Sequence, residues 1–127
     1  MIVGIGLDMV EVARMRALLE RKGERALARL FTASERAYAK AHPEPARQLA
    51  ARVAAKEAAY KALSGNDLAR AIGWRELEVV ARPGQGPVLL LHGRAQTRAN
   101  ELGVYRVHLS LTHTDLMAAA VVIAEIP

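Results

Sequence analysis

The stretch Arg52-Val53-Ala54-Ala55-Lys56-Glu57-Ala58-Ala59-Tyr60-Lys61-Ala62-Leu63, taken with Gly4-Ile5-Gly6-Leu7-Asp8 near the amino terminus, decides how this chain is read. The first reads as a helix of small residues carrying one acid among three cations. At 3.6 residues per turn Glu57 and Lys61 stack one above the other, and Arg52 and Lys56 form a second stacked pair roughly 100° around the axis. The alanines hold the helix and leave its surface open to close approach. Met1 to Gly6 reads as a short buried strand, in which Gly4 and Gly6 let backbone pass close to a neighbour or ligand, with Asp8 just past its end. Two carboxylates, Asp8 and Glu57, beside lysine and arginine suit a hard, oxygen-seeking cation such as Mg²⁺ with phosphates held around it. The competing reading is a solvated helix whose i,i+4 ion pairs contribute only ~0.3–0.5 kcal/mol each.

Between these two segments, Val12, Met15, Leu18 and Leu19 fall at helical spacing and predict a helix over Val10 to Lys22, basic on its outside through Arg14, Arg16, Arg21 and Lys22, and broken at Gly23. Thr32-Ala33-Ser34-Glu35 is a capping-box pattern that opens a short helix to about Lys40. Pro45 suits the first turn of the long helix, which is expected to run to about Ser64 and stop at Gly65-Asn66. Leu77 to Val80 and Val88 to Leu91 read as hairpin strands joined by Arg82-Pro83-Gly84-Gln85-Gly86-Pro87. A helix over Gly93 to Leu102, ending at Gly103, precedes two strands, Tyr105 to Thr112 and Met117 to Glu125.

The 127 residues predict one domain, 1–127, that would gain surface by self-association if it bound a large cofactor. A net charge of +5 and a pI near 10.1 favour an acidic partner. The absence of cysteine excludes disulfides, thiolate nucleophiles and Cys-ligated zinc. The apolar run Leu116 to Ala124 is too short to span a bilayer, and the first residues lack the basic segment of a secretory signal, so a cytoplasmic protein without a membrane partner is expected.

In His108-Leu109-Ser110-Leu111-Thr112-His113, period-two alternation puts His108, Ser110 and Thr112 on one face and the leucines on the other. Three hydrogen-bonding side chains in a row can line a phosphate or ribose pocket; the alternative is a strand with one solvated face. Ser110, His113 and Asp115 lie too close along one strand and turn to form a hydrolase triad. The Pro-Gly-Gln-Gly-Pro loop lacks a P-loop pattern and reads first as a hairpin turn. Trp74 and Tyr60 read as packing residues that could also lie against an adenine.

Taken in order, Gly4-Ile5-Gly6-Leu7-Asp8-Met9-Val10-Glu11, Phe31-Thr32-Ala33-Ser34-Glu35, Arg52 to Ala58, Gly84-Gln85-Gly86-Pro87 and His108 to His113 resemble the holo-acyl-carrier-protein synthases, the short branch of the phosphopantetheinyl transferases. The five blocks span essentially the whole chain. Leu7, Val53 and Thr112 depart from residues usual in that family and bear on substrate fit, while every charged site position is retained.

The resemblance implies an α+β phosphopantetheinyl transferase fold, an antiparallel sheet packed with one long and several short helices, assembled as a homotrimer with sites at its interfaces. It implies transfer of the phosphopantetheine arm of coenzyme A to a serine of apo-acyl carrier protein, with Mg²⁺ held by Asp8 and Glu57. Lys61 is then assigned to the transferred or leaving phosphate. Arg52, Lys56 and His108 become candidates for the remaining coenzyme phosphates, with Gly65, Gly86, Pro87, Ser110 and Thr112 as further coenzyme-binding positions. Either Glu57 or a water on the metal could deprotonate the carrier serine. Arg14 and Arg21 fit an acidic carrier helix by charge complementarity. Two other classes compete: a small basic nucleic-acid-binding domain and an idle trimeric scaffold of the same fold. One Trp, three Tyr and one Phe, with no dense basic cluster, make the first a poor match, and both retained carboxylates count against the second.

Overall fold

The computed structural model describes residues 1–127, in the order β1 (Ile2–Glu11), α1 (Val12–Leu30), α2 (Ala33–Lys40), α3 (Pro45–Ala62), α4 (Asp67–Arg70), a 3-10 turn at Trp74–Glu76, β2 (Leu77–Arg82), β3 (Gln85–Leu91), α5 (Gly93–Leu102), β4 (Arg106–His113) and β5 (Met117–Glu125). The antiparallel strands fall into two sheets, β1-β5-β4 and the hairpin β2-β3. The long alanine-rich helix α3 lies along the first of these, against β1 and β5.

The two amino-terminal glycines set that packing. A Cβ on Gly4 would collide with the Ala62 carbonyl, and one on Gly6 with the Ala58 carbonyl. Two residues along a strand advance ~6.7 Å and four along a helix ~6 Å, so the Gly4–Gly6 spacing matches one turn of α3 running the opposite way. The glycines serve a neighbouring backbone, not a ligand. Ala54, Ala58 and Ala62 then bury against Ala120 and Val122 of β5, while Val12, Met15, Phe31, Leu49 and Val53 form a second cluster beneath α1 and α2.

Three expectations need correction in detail, and two short elements were not anticipated. β1 continues to Glu11 because β5 pairs with it throughout, down to Glu11 opposite Met117, so Asp8 lies inside the strand opposite Ala120. At Gly23 (φ 56, ψ −136) helix α1 kinks and then resumes to Leu30. The hairpin turn is only Pro83-Gly84, with Arg82 opposite Gln85; proline sets the first turn angle and Gly84 takes φ 71. The α4 turn and the 3-10 turn, four and three residues long, are too short to show a period in the sequence. The capping box at Thr32 and Glu35, Pro45 at the start of α3 and left-handed Gly103 after α5 all stand as read.

Candidate active site

Alternation along β1 turns Gly4, Gly6 and Asp8 toward α3, and the missing glycine side chains bring the helix close enough for its charges to meet Asp8. Lys61 Nζ donates to Asp8 Oδ1 at 3.1 Å and to the Leu7 carbonyl at 2.9 Å. Glu57, one turn earlier, hydrogen-bonds the same aspartate. Two carboxyl groups so placed share a proton. The hydrogen bond to Asp8, then burial, then the Asp8 charge lift Glu57 to about 7. Burial pushes Asp8 up as well, but hydrogen bonds from Glu57 and Lys61 and the Lys61 charge outweigh it, holding Asp8 below the usual carboxylate range.

Asp8 Oδ2 is buried, and no amide or ammonium donates to it. An orphaned carboxylate oxygen beside a carboxyl that need only lose a proton fits a hard cation. No third acid or imidazole joins the pair. A cation here would complete its shell with water or substrate oxygens, the usual manner of Mg²⁺. Lys61, half exposed, has one N–H left for a phosphate after its two bonds to β1.

Glu57 and Lys61 open onto a cleft of about 350 Å³ walled by Tyr60, Ile72 and Trp74. On its other side Glu57 faces a groove formed with Arg14, Leu18, Arg21 and Trp74, and the Arg14 charge reaches Glu57. The basic face of α1 therefore adjoins the carboxylate pair. It continues along Lys22, Arg25 and Arg29.

Other expected site residues are placed elsewhere. Lys56 is fully buried: its ammonium donates to Glu35 Oε1 at 2.8 Å, to the Trp74 carbonyl at 2.9 Å and to the Leu77 carbonyl. All three protons are engaged, so Lys56 is a structural cation and is removed from the phosphate-binding set. Burial pulls its pKa down, with Glu35 opposing. Arg52 is buried against α2, stacked 4.2 Å over the Tyr38 ring, and its Nε lacks a partner. Gly65 adopts φ 130 beneath Arg98, whose guanidinium caps the end of α3 through the Leu63 and Ser64 carbonyls at 2.8 and 2.9 Å. Gly86 is exposed and Pro87 partly covered at the start of β3.

His108, Ser110 and Thr112 do share one face, but it is the face of the sheet away from α3. Register sets them in rows with Ile123, Val121 and Ala119, and beyond these with Ile5, Leu7 and Met9. His108 there meets Glu125 at 2.8 Å. Within one chain they cannot join Asp8, Glu57 and Lys61.

The sequence model of the 4'-phosphopantetheinyl transferase superfamily matches residues 4–121. The holo-[acyl-carrier-protein] synthase of Anaeromyxobacter dehalogenans is 50% identical over 128 residues, 98% of this chain and 97% of that one. The chain belongs to the holo-acyl-carrier-protein synthases. The Neisseria meningitidis synthase structure superposes with a TM-score of 0.86 at 28% identity, over 98% of this chain and 99% of that one. A Bacillus anthracis synthase solved in complex with CoA (3',5'-ADP) matches at TM-score 0.79 and 30% identity, over 100% of this chain and 99% of that one.

In this synthase the pairing of Glu35 with Lys56 was not anticipated. Glu35 reads as a capping residue, which it is, accepting from Thr32 N at 2.9 Å, but its second oxygen accepts from Val79 N at 2.9 Å. The alanine density around Lys56, with Ala54, Ala55, Ala58 and Ala59 all within three residues of it, was the available signal, since a helix so rich in small residues is buried over most of its surface. Trp74 and Tyr60 prove to line the cleft rather than the core.

Proposed function

We propose that the chain transfers the 4'-phosphopantetheine group of coenzyme A to a serine of apo-acyl carrier protein in a Mg²⁺-dependent reaction that releases adenosine 3',5'-bisphosphate. The observation that carries this reading is the Asp8–Glu57–Lys61 cluster, with its orphaned oxygen and shared proton, at the junction of a cleft and a basic groove. The Bacillus anthracis relative solved in complex with CoA supports coenzyme A as the donor, which we place in that cleft. The serine oxygen attacks the phosphorus bearing the pantetheine arm, and the bond to the bridging oxygen of the pyrophosphate breaks. Asp8 and Glu57 would hold Mg²⁺, which supplies charge neutralisation on the phosphate oxygens. Lys61, anchored to β1 by two bonds, aims its free N–H at the phosphate on which charge grows. Glu57, beside the reacting phosphate, or a water next to the carboxylate pair would take the serine proton.

Arg14 and Arg21, exposed on the groove side of α1, would steer the acidic carrier so that its serine reaches Glu57. His108 remains a candidate for the other coenzyme phosphates, while Arg52, buried on Tyr38, does not. The protein would act in the cytoplasm as a homotrimer. Support for assembly is the open face of the β1-β5-β4 sheet, where Ile5, Leu7 and Met9 are 61–62% exposed side by side. A second copy covering this face would bring His108, Ser110 and Thr112, with the Gly86–Pro87 strand, to its neighbour's cluster.

Incubating the protein with coenzyme A, Mg²⁺ and apo-carrier should raise the carrier mass by one phosphopantetheine group. Asp8→Asn and Glu57→Gln should each lose most turnover while remaining folded, with only partial rescue by excess Mg²⁺. Near-normal turnover of either variant at low Mg²⁺ would reject the assignment.

A further inference from the structure

The single tryptophan of the chain stands between the two surfaces that the proposed reaction must connect. Trp74 lines the cleft beside Glu57 and Lys61, the groove holding Arg14 and Arg21, and the basic continuation of that groove along Lys22 and Arg25. Its residue is 36% exposed, although the surrounding backbone is firmly held. The Trp74 carbonyl accepts from buried Lys56 at 2.9 Å. On one side Gly73 N donates to Glu76 Oε1 at 2.7 Å, and Glu76 is itself fixed by Arg94, whose backbone N–H and Nε donate at 2.7 and 2.9 Å. A large side chain left open on a rigid backbone is suited to receiving a ligand, because little ordering cost remains.

We infer that Trp74 is a binding and positioning residue shared by both substrates, a wall along which the pantetheine arm passes from the coenzyme cleft to the carrier groove. This rests on the function proposed above. The indole suits the arm chemically, with an apolar face for its methylene and dimethyl carbons and an N–H for its amide oxygens. Sharing one wall also fixes the distance between the two grooves, so the carrier serine and the reacting phosphate meet beside Glu57.

The test uses the full-length protein and a tryptophan-free apo-carrier. Because Trp74 is the only indole present, its emission should shift when coenzyme A is added alone and again when the carrier is added alone. Trp74→Ala should raise KM for each substrate by about tenfold, the loss expected for a large aromatic contact, in a protein that remains folded at the assay temperature. Trp74→Phe should recover most of both values. An emission that ignores either substrate, or a folded Trp74→Ala protein in which one KM or neither rises, overturns the inference while the transferase reading stands. A parent protein that neither binds coenzyme A nor shifts the carrier mass overturns both.

Discussion

Gly6→Ala tests the link between the strand–helix contact and the chemistry. The new methyl carbon would sit 2.6 Å from the Ala58 carbonyl carbon and closer still to its oxygen. That is roughly 1 Å inside the ~3.5 Å separation that carbon atoms keep, and the obstacle is helix backbone, which has no rotamer to change. α3 must retreat from β1 by about that distance. Overpacking of this kind costs ~1–3 kcal/mol and more where backbone is displaced, against ~0.4–1 kcal/mol gained from a stiffer unfolded chain. A net loss of about 2–3 kcal/mol follows, a fall of roughly 6–15 °C in melting temperature for a chain of this size. The same retreat draws Glu57 and Lys61 away from Asp8, and a misplacement of ~1 Å can cost ~100-fold in rate. Urea unfolding and carrier-modification kinetics read the two effects separately. Gly86→Ala is the control, since a Cβ there meets nothing within 4 Å, and its stability should stay at the parent value or rise by up to ~1 kcal/mol. A Gly6→Ala protein with parental midpoint and turnover would refute the reasoning.

Lys56→Met leaves Glu35 buried without its cation and should cost ~3–5 kcal/mol; adding Glu35→Gln removes the unpaired charge and should restore part of that in the same denaturation assay. Glu78 is held at about 2 because hydrogen bonds from Ser34, Thr32 and His92, with the His92 charge, outweigh its burial. A depressed carboxyl stabilises above its ordinary 4.5 and loses that contribution as pH falls toward 2, so Glu78→Gln should flatten the stability profile across that window by about 1–2 kcal/mol after solvent screening. Glu57→Gln and His108→Ala proteins, each first measured alone, should complement when refolded together, with about one quarter of sites whole for random mixing. Activity no higher than the mean of the two in verified mixed trimers would place each site within one chain.

What the sequence exposes is whatever has a period or a local cap. The Thr32 box, Pro45, Gly103 and the alternation at His108 to Thr112 are of that kind, and they lie where the residues predict. The pairing of Asp8 with Glu57 and Lys61 was also legible, through residue types that suit one chemistry. The partner of Lys56 was not, because Glu35 stands 21 residues earlier on another helix. Spacing within α3 groups Lys56 with Arg52, yet tertiary packing gives one to Glu35 and two carbonyls and lays the other on Tyr38. Likewise, strand β1 outruns its apolar pattern because β5 supplies a partner for every residue from Gly4 to Glu11.

Period-two geometry also links the active cluster to assembly. For Asp8 to reach α3, Gly4 and Gly6 must face the helix too, and then Ile5, Leu7 and Met9 have no choice but to face outward. β5 and β4 extend the same outer rows, ending in His108, Ser110 and Thr112. A strand that delivers one carboxylate to the inner face thus builds an apolar strip on the outer one, with polar groups at its margin. Shielding that strip with a second copy gains ~25 cal/mol for each Å² of apolar surface removed from water. In the proposed assembly, the copy that does so would bring a row of hydrogen-bonding side chains to the edge of the sheet. In so short a chain, the packing that sets Asp8 beside α3 also leaves open the apolar face on which the proposed assembly would rest.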